Sequence, residues 1–266
     1  MVAWDEMLDN ALDVSSQLSS EGLSFLIWDV CTSPTPRPSW VAAEKVRYYG
    51  HFYNSLVDFA TTNHDIFIFN AGDAFSDNHV EFVRIIERMM DADENVWVMG
   101  PRMTNDGGDG IVTLIQMSKK YEDIGLISHL NGIYVSLRRE LALFVLDYYK
   151  WLLKNKYMNF EEMVTGHCLD TVYAAWTLYN NKKMYRDWNF TMVTGTTTSY
   201  PTKNTYKECM HVKNQFKQYV SSLGGNSDVI QRIYDAIQAN DSVYRSQLFP
   251  ILDAYPLLNS EEELDY

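Results

Sequence analysis

The first residues in this chain that could do chemistry close an apolar run: Asp65-Ile66-Phe67-Ile68-Phe69-Asn70-Ala71-Gly72-Asp73. Ile66 to Phe69 is apolar throughout and bounded by polar residues, which predicts a central strand covered on both faces. Asp73 then falls just past the strand, at the rim of a sheet, where open α/β sheets bind their ligands. Gly72 allows a tight turn or a close approach of backbone to ligand. A carboxylate in that place suits Mg²⁺ or Mn²⁺, hard cations that take oxygen ligands and share them with substrate phosphates. The spacing fits equally well an Asp73 that only shapes the turn before a helix beginning at Asp77.

Other groups join it at element ends. Asp29, in Leu26-Ile27-Trp28-Asp29-Val30, ends a short apolar strand and could accept hydrogen bonds from a ribose hydroxyl or a base N–H. In Thr165-Gly166-His167-Cys168-Leu169-Asp170, the Asp falls in the first turn of a helix. The helix dipole favours its ionised form, and an ionised carboxylate can serve as general base toward a hydroxyl. Each of these two also reads as an ordinary solvated acid. His167, Cys168, Cys209 and His211 lack zinc-ligand spacing, which leaves His211 as a single metal or phosphate ligand. Lys45, and Arg138 at the head of a helix, are cations available to a diphosphate. No GxxxxGK[ST], GxGxxG or GxSxG pattern is present, so the phosphate loop, the dinucleotide site and the nucleophile elbow are unsupported.

The elements that must hold these residues follow from periodicity. Helical spacing runs over 5–20, ended by Gly22, and a long helical pattern over 40–61 carries Lys45. Further helices are expected at 77–90, with Asp77 as N-cap, at 138–154, 166–181, 205–221 and 226–238. Strands are expected at 23–31, 66–69, 96–99 (closed by Gly100-Pro101), 133–137 and 185–193. Only Met1 to Trp4 precede the first helix, so a first strand is either very short or absent. This alternation predicts an α/β domain with a mostly parallel sheet flanked by helices. We expect the catalytic domain over residues 1–221 and a helical extension packed on it over 222–266, ending in an acidic tail.

Composition bounds the partners. The formal net charge is −13, which argues against a purely electrostatic grip on nucleic acid. The 3 cysteines are far apart, which reads as reduced thiols in a cytoplasmic protein. No apolar run approaches the length of a membrane span, so no membrane partner is expected.

Taken in order, the strand ending in Asp29, the run to Asp73, the segment Asn131-Gly132-Ile133-Tyr134-Val135-Ser136-Leu137-Arg138-Arg139-Glu140 and the helix start Leu169-Asp170 resemble the GT-A glycosyltransferase fold. The likeness is to its broad family-two-like group of nucleotide-sugar glycosyltransferases, and it spans roughly residues 5–200. The resemblance implies that Asp29 contacts the nucleoside base and that Asp73 binds Mn²⁺ or Mg²⁺ on the donor diphosphate. It sets Asn70 near the first acid of a DxD-type motif, with Ala71 and Gly72 lining the same turn. It implies that Lys45 and Arg138 line the nucleotide-sugar site and that Asp170 deprotonates the acceptor hydroxyl, with inversion at the sugar. His211 would be a third metal ligand. The sequence departs from the pattern at Asn70, where an acid is expected, and at Leu169, where a Glu is expected. A richness in Tyr, Asn, Asp and Met resembles bacteriophage proteins, among them transferases that place arabinose or glucose on hydroxymethylcytosine, which would make modified DNA the acceptor. Two other readings remain: a non-catalytic interaction protein on a degenerate scaffold of this kind, and a nucleotidyltransferase.

Overall fold

The computed structural model describes residues 1–3, 7–31, 37–42, 48–72, 74–104, 114–117, 124–127, 134–157, 169–194 and 205–238. Lys45, Asp73 and the acidic tail lie outside them. The architecture is mixed α/β.

A small sheet comes first. Strand β1 (Val2–Ala3) pairs in parallel with β2 (Ile27–Asp29), and β2 pairs in parallel with β3 (Trp40–Ala42). Helix α1 (Leu8–Ser20) connects β1 to β2, and Gly22 follows it at φ 67, a left-handed value that suits glycine. The first strand is therefore present and very short, and both its residues are fully buried.

The 40–61 segment is not one helix. Its start is β3, and helix α2 (Tyr48–Ala60) forms only later. Ser39, at φ 61, turns the chain and accepts the Ile27 amide at 2.9 Å. Pairing with β2 thus overrides a local pattern that fits a helix.

The larger sheet has the order β4-β9-β6-β10-β8-β7, with β5 (Ala74–Phe75) paired to β10. Its other strands are β4 (Ile66–Asn70), β6 (Val96–Thr104), β7 (Leu114–Met117), β8 (Ile124–Ile127), β9 (Tyr134–Arg138) and β10 (Lys183–Thr194). The expectation of a mostly parallel sheet fails here: β6 and β10 pair in parallel, and the other ladders are antiparallel. Alternation of strands and helices cannot reveal this. From β6 to β9 no helix intervenes among the described residues, and an antiparallel partner needs no helical crossover. Because β9 is antiparallel to both β4 and β6, the strands β4, β6 and β10 all point the same way. Strand β6 also continues through Gly100-Pro101. The missing Pro101 N–H is tolerated because β9 pairs β6 at Val98 and Met99, before the proline, and the β10 register breaks just after it.

Strand β4 is covered on both faces, as its apolar run predicts. Phe67 and Phe69 face the larger core, where Phe52 of α2 meets their rings edge-on at 5.6 and 4.9 Å. Ile66 and Ile68 pack on the other side, against helix α3 (His79–Ala92). The larger core is closed by α4 (Arg139–Lys154), α5 (Leu169–Tyr179), α6 (Thr205–Ser222) and α7 (Ser227–Gln238). Ile230, Ile233 and Tyr234 of α7 are buried in that same core, so this helix is built into it rather than laid on its outside.

Candidate functional site

The candidate residues lie at element ends, so the direction of each element decides which of them share a rim. Helix α3 leaves the carboxyl end of β4 and descends. Along it, the His79 amide donates to Gln17 Oε1 of α1 at 2.7 Å, and Arg84 pairs with Glu21 just past α1. The two helices therefore run in the same sense, and the carboxyl ends of β1 and β2 face the same side as that of β4. Helix α5 packs on β6 and β10 and reaches β10 through a short turn at its own carboxyl end. Its first turn, with Asp170, thus points toward the same rim. Asp29, Asn70, Ala71, Gly72 and Asp170 share this side of the molecule.

They do not share a face. Asp29 lies two residues from Ile27 and points, like it, toward α1. The Asp29 carboxylate is buried, and Oδ1 accepts the Cys31 amide at 3.2 Å, which tightens the turn leaving β2. Asn70 is paired in register with Tyr134 on the α3 side of the larger sheet. Asp170 rises from the opposite layer, and Oδ1 accepts the Thr171 amide at 2.8 Å.

The turn after β4 is the best-defined part. Asn70 is 4% exposed, and both ends of its amide are engaged. Nδ2 donates to the Ala74 carbonyl at 2.7 Å, and Oδ1 accepts the Gly72 amide at 2.8 Å. Gly72 sits at φ 96, a conformation that L side chains rarely adopt. Ala71 packs into the larger core. Asn70 thus builds the loop that carries Asp73 instead of standing as a ligand. A carboxylate in its place could not donate to Ala74, which explains the amide where the family pattern has an acid.

Beneath this turn lies His79. Its Nε2 is 3.4 Å from Asn70 Nδ2, and its ring meets Tyr134 edge-on at 5.3 Å. Burial pushes its pKa down to about 4, so it is a neutral imidazole at physiological pH. Asp77 does not cap α3: the cap position is Asn78, without a side-chain bond, and Gln17 supplies the acceptor from α1. Asp77 lies too early, because the chain enters the helix two residues later than the apolar periodicity indicates.

Arg138 is not at this rim. It pairs with Ile66, at the amino end of β4, while Asn70 pairs with Tyr134. Four residues of strand separate the two ends, or roughly 13 Å. The guanidinium donates to Val96 O at 2.9 Å, to Asp93 O at 3.1 Å and to Met90 O, and so caps the last turn of α3. His211 is exposed on α6, with Nε2 3.1 Å from the Tyr157 carbonyl. Among the described residues, no three His, Cys, Asp or Glu side chains are placed to hold a metal ion. With Asn70 committed to the turn and His211 on an outer helix face, the described donors do not fit a protein-held Mn²⁺ or Mg²⁺.

Two further cations belong to the Asp170 layer: Arg186, which carries no motif in the sequence, and Lys213, which the sequence places near His211 and which reads there as part of a solvated helix face. Arg186 of β10 is 1% exposed and flanked in register by Gly100 and Gly125. It lies on the same sheet face as Met184, which is in the larger core. Lys213 of α6 is also buried. Its signal was present in the sequence: it falls three residues before Phe216 and one after Val212, on the helix face that faces the core. No helix among the described residues is long and apolar enough to cross a membrane. In comparisons with protein-family models, curated proteins and solved structures, no match to this chain is found.

Proposed function

We propose that this chain is a nucleotide-sugar glycosyltransferase on a GT-A-like scaffold, moving a sugar from a nucleoside-diphosphate donor, with uridine diphosphate favoured, to an acceptor hydroxyl. The reading is supported by three element ends whose directions lead toward one side of the molecule: a buried acid ending β2, a built turn with a left-handed glycine ending β4, and an acid in the first turn of α5. In this reading Asp29 meets the nucleoside and the Asn70–Gly72 turn presents its backbone to the diphosphate. Asp170, across the sheet, takes the proton of the acceptor oxygen as that oxygen attacks the anomeric carbon. The donor's sugar–phosphate bond breaks, the nucleoside diphosphate leaves, and the anomeric centre inverts. Mn²⁺ or Mg²⁺ would enter through Asp73 and the diphosphate. No step is assigned to the metal, because the described donors do not form a set for it. Modified DNA as acceptor draws on composition alone, against a net charge of −13.

The test is a thermal-shift screen of the full chain against nucleoside diphosphates, with and without Mn²⁺, followed by product analysis of any donor that binds. Binding and release of nucleoside diphosphate support the reading. Release of pyrophosphate marks a nucleotidyltransferase, and no shift with any nucleotide removes the proposal. The engaged Asn70 amide favours a second reading, a scaffold that binds a nucleotide without turning it over, in which binding occurs with no product.

A further inference from the structure

One face of α6 carries a polar row that the transfer reading does not use. His211, Asn214, Gln215, Gln218 and Ser221 recur at helical spacing and, with Gln231 of α7, line a groove of about 730 Å³. That volume is in the range of small-molecule sites. Ten residues of helix separate His211 from Ser221, so the row is about 15 Å long. Gln215 is the buried member of the row, 7% exposed, and its Oε1 has no hydrogen-bond partner among the described residues. A buried amide oxygen left unpaired is costly, and a ligand hydroxyl in the groove would supply the missing donor.

An aromatic pair adjoins the His211 end. The chain leaves α4 through a turn in which Lys156 takes φ 57. There the Lys156 amide donates to the Leu153 carbonyl at 3.1 Å, and the Tyr157 amide to the Leu152 carbonyl at 3.0 Å. This turn brings the Tyr157 ring to 5.2 Å from that of Trp151, with Tyr157 still 38% exposed. His211 ties the pair to the groove, its Nε2 donating to the Tyr157 carbonyl at 3.1 Å. Trp151 also meets Tyr219, the neighbour of Gln218, at 5.4 Å.

The lining has no surplus charge to select an ion. Apart from His211, its charged residues are Lys217 and Asp228, of opposite sign. Lys217 Nζ is committed to Gln231 Oε1 at 2.6 Å. The first turn of α7, which would otherwise attract an anion, is capped by Asn226 Oδ1, which accepts the Asp228 amide at 3.0 Å. What remains is a set of carboxamides and hydroxyls, able both to donate and to accept, beside an exposed aromatic ring. A neutral sugar matches both parts. Its adjacent hydroxyls meet the donor and acceptor of one carboxamide, and its C–H face packs on the ring.

We infer that this groove is a binding site for a neutral oligosaccharide, with Tyr157 as the stacking residue and Gln215 and Gln218 holding sugar hydroxyls. The site includes none of Asp29, Asn70, Gly72 or Asp170, so it does not rest on the transferase reading.

The experiment is calorimetric titration of the full chain with cellotetraose, maltotetraose and chitotetraose, beside inorganic phosphate and a sulfated heparin tetrasaccharide. We expect at least one neutral tetrasaccharide to bind with Kd below about 1 mM, and the two anionic probes not to bind. Tyr157→Ala should weaken that binding roughly tenfold. Gln215→Leu, which keeps the shape and removes the unpaired oxygen, should weaken it about fivefold to tenfold without lowering Tm. Gln218→Ala, at an exposed position, should weaken it about threefold and keeps the test open should Gln215→Leu fail to fold. Absence of binding by all three neutral probes, equal binding of the sulfated probe, or unchanged affinity in Tyr157→Ala or Gln218→Ala overturns the inference. No nucleotide is added, so a chain that transfers no sugar removes the transferase reading and leaves this result as it stands.

Discussion

Replacing Asn70 with Asp asks whether this position is a lost metal ligand or a built turn. The family pattern places an acid here, so on sequence logic Asn70→Asp repairs the site. The structure gives the opposite expectation. The variant removes the donor to the Ala74 carbonyl, now at 2.7 Å, and sets a carboxylate oxygen against that carbonyl. The position is 4% exposed, so water cannot make up the loss. An unsatisfied buried carbonyl costs about 1–3 kcal/mol, and the misplaced charge adds to it, for a total of about 2–4 kcal/mol at neutral pH. For a chain of this length, that lowers Tm by roughly 5–10 °C. The loss has a definite pH dependence. Burial beside a carbonyl raises the folded-state pKa of the new carboxyl above its unfolded value of about 3.9. The folded variant then holds its proton more tightly than the unfolded chain. Stability is regained as pH falls through the raised pKa, where the protonated carboxyl again donates to Ala74. The assay is urea unfolding of wild type and variant at pH 8, 6 and 4.5, with nucleotide binding in Mn²⁺ measured beside it. A variant as stable as wild type at pH 8, or one that gains Mn²⁺-dependent nucleotide affinity, would refute this account of Asn70.

Other expectations follow from the same geometry. His79 has its folded pKa lowered from 6.5 to about 4 by burial, so the stability it confers as a neutral ring is full above pH 6.5 and is lost as pH falls through about 4. The loss amounts to about 3 kcal/mol, and His79→Asn should flatten that part of the stability–pH curve in urea titrations. Arg138→Met should cost about 2–4 kcal/mol through the carbonyls of Met90, Asp93 and Val96, which span the end of α3 and the start of β6, with nucleotide affinity unchanged; weaker nucleotide binding at equal stability would return Arg138 to the site. Asp170→Asn should cut transfer by about 100-fold or more while nucleoside-diphosphate affinity stays within about twofold, as judged by calorimetry and product formation. Gly225→Ala should destabilise the α6–α7 turn, because an added Cβ would stand 2.5 Å from Val220 Cγ1 and 3.1 Å from the Val220 carbonyl.

The sequence by itself determined what depends on neighbours along the chain. The apolar run from Ile66 to Phe69 required a strand covered on both faces, because unbroken apolar character leaves no face for water. The spacing of Leu141, Ala142, Val145, Leu146, Tyr148, Tyr149 and Leu152 required the helix α4, and a glycine past Ser20 marked the end of α1. It also located Asp29, Asn70 and Asp170 at element ends, because polar residues that close apolar runs must reach a rim. What only the tertiary structure decided depends on partners distant in sequence. Trp40–Ala42 became a strand because β2 was there to pair with it. The antiparallel insertion of β9 between β4 and β6 was set by connections that contain no helix among the described residues. Arg138, adjacent in sequence to a candidate strand, was carried to the opposite edge because its strand runs backward. The role of Asn70 was fixed by a carbonyl four residues on and by His79. The burial of Lys213 was decided by the packing of α6 and α7, which sets its ammonium 5.2 Å from the centre of the Tyr234 ring. Periodicity records which face of an element is buried, but it carries no record of register, direction or the polar partner across the gap, and those decide whether a rim residue builds a turn or meets a substrate.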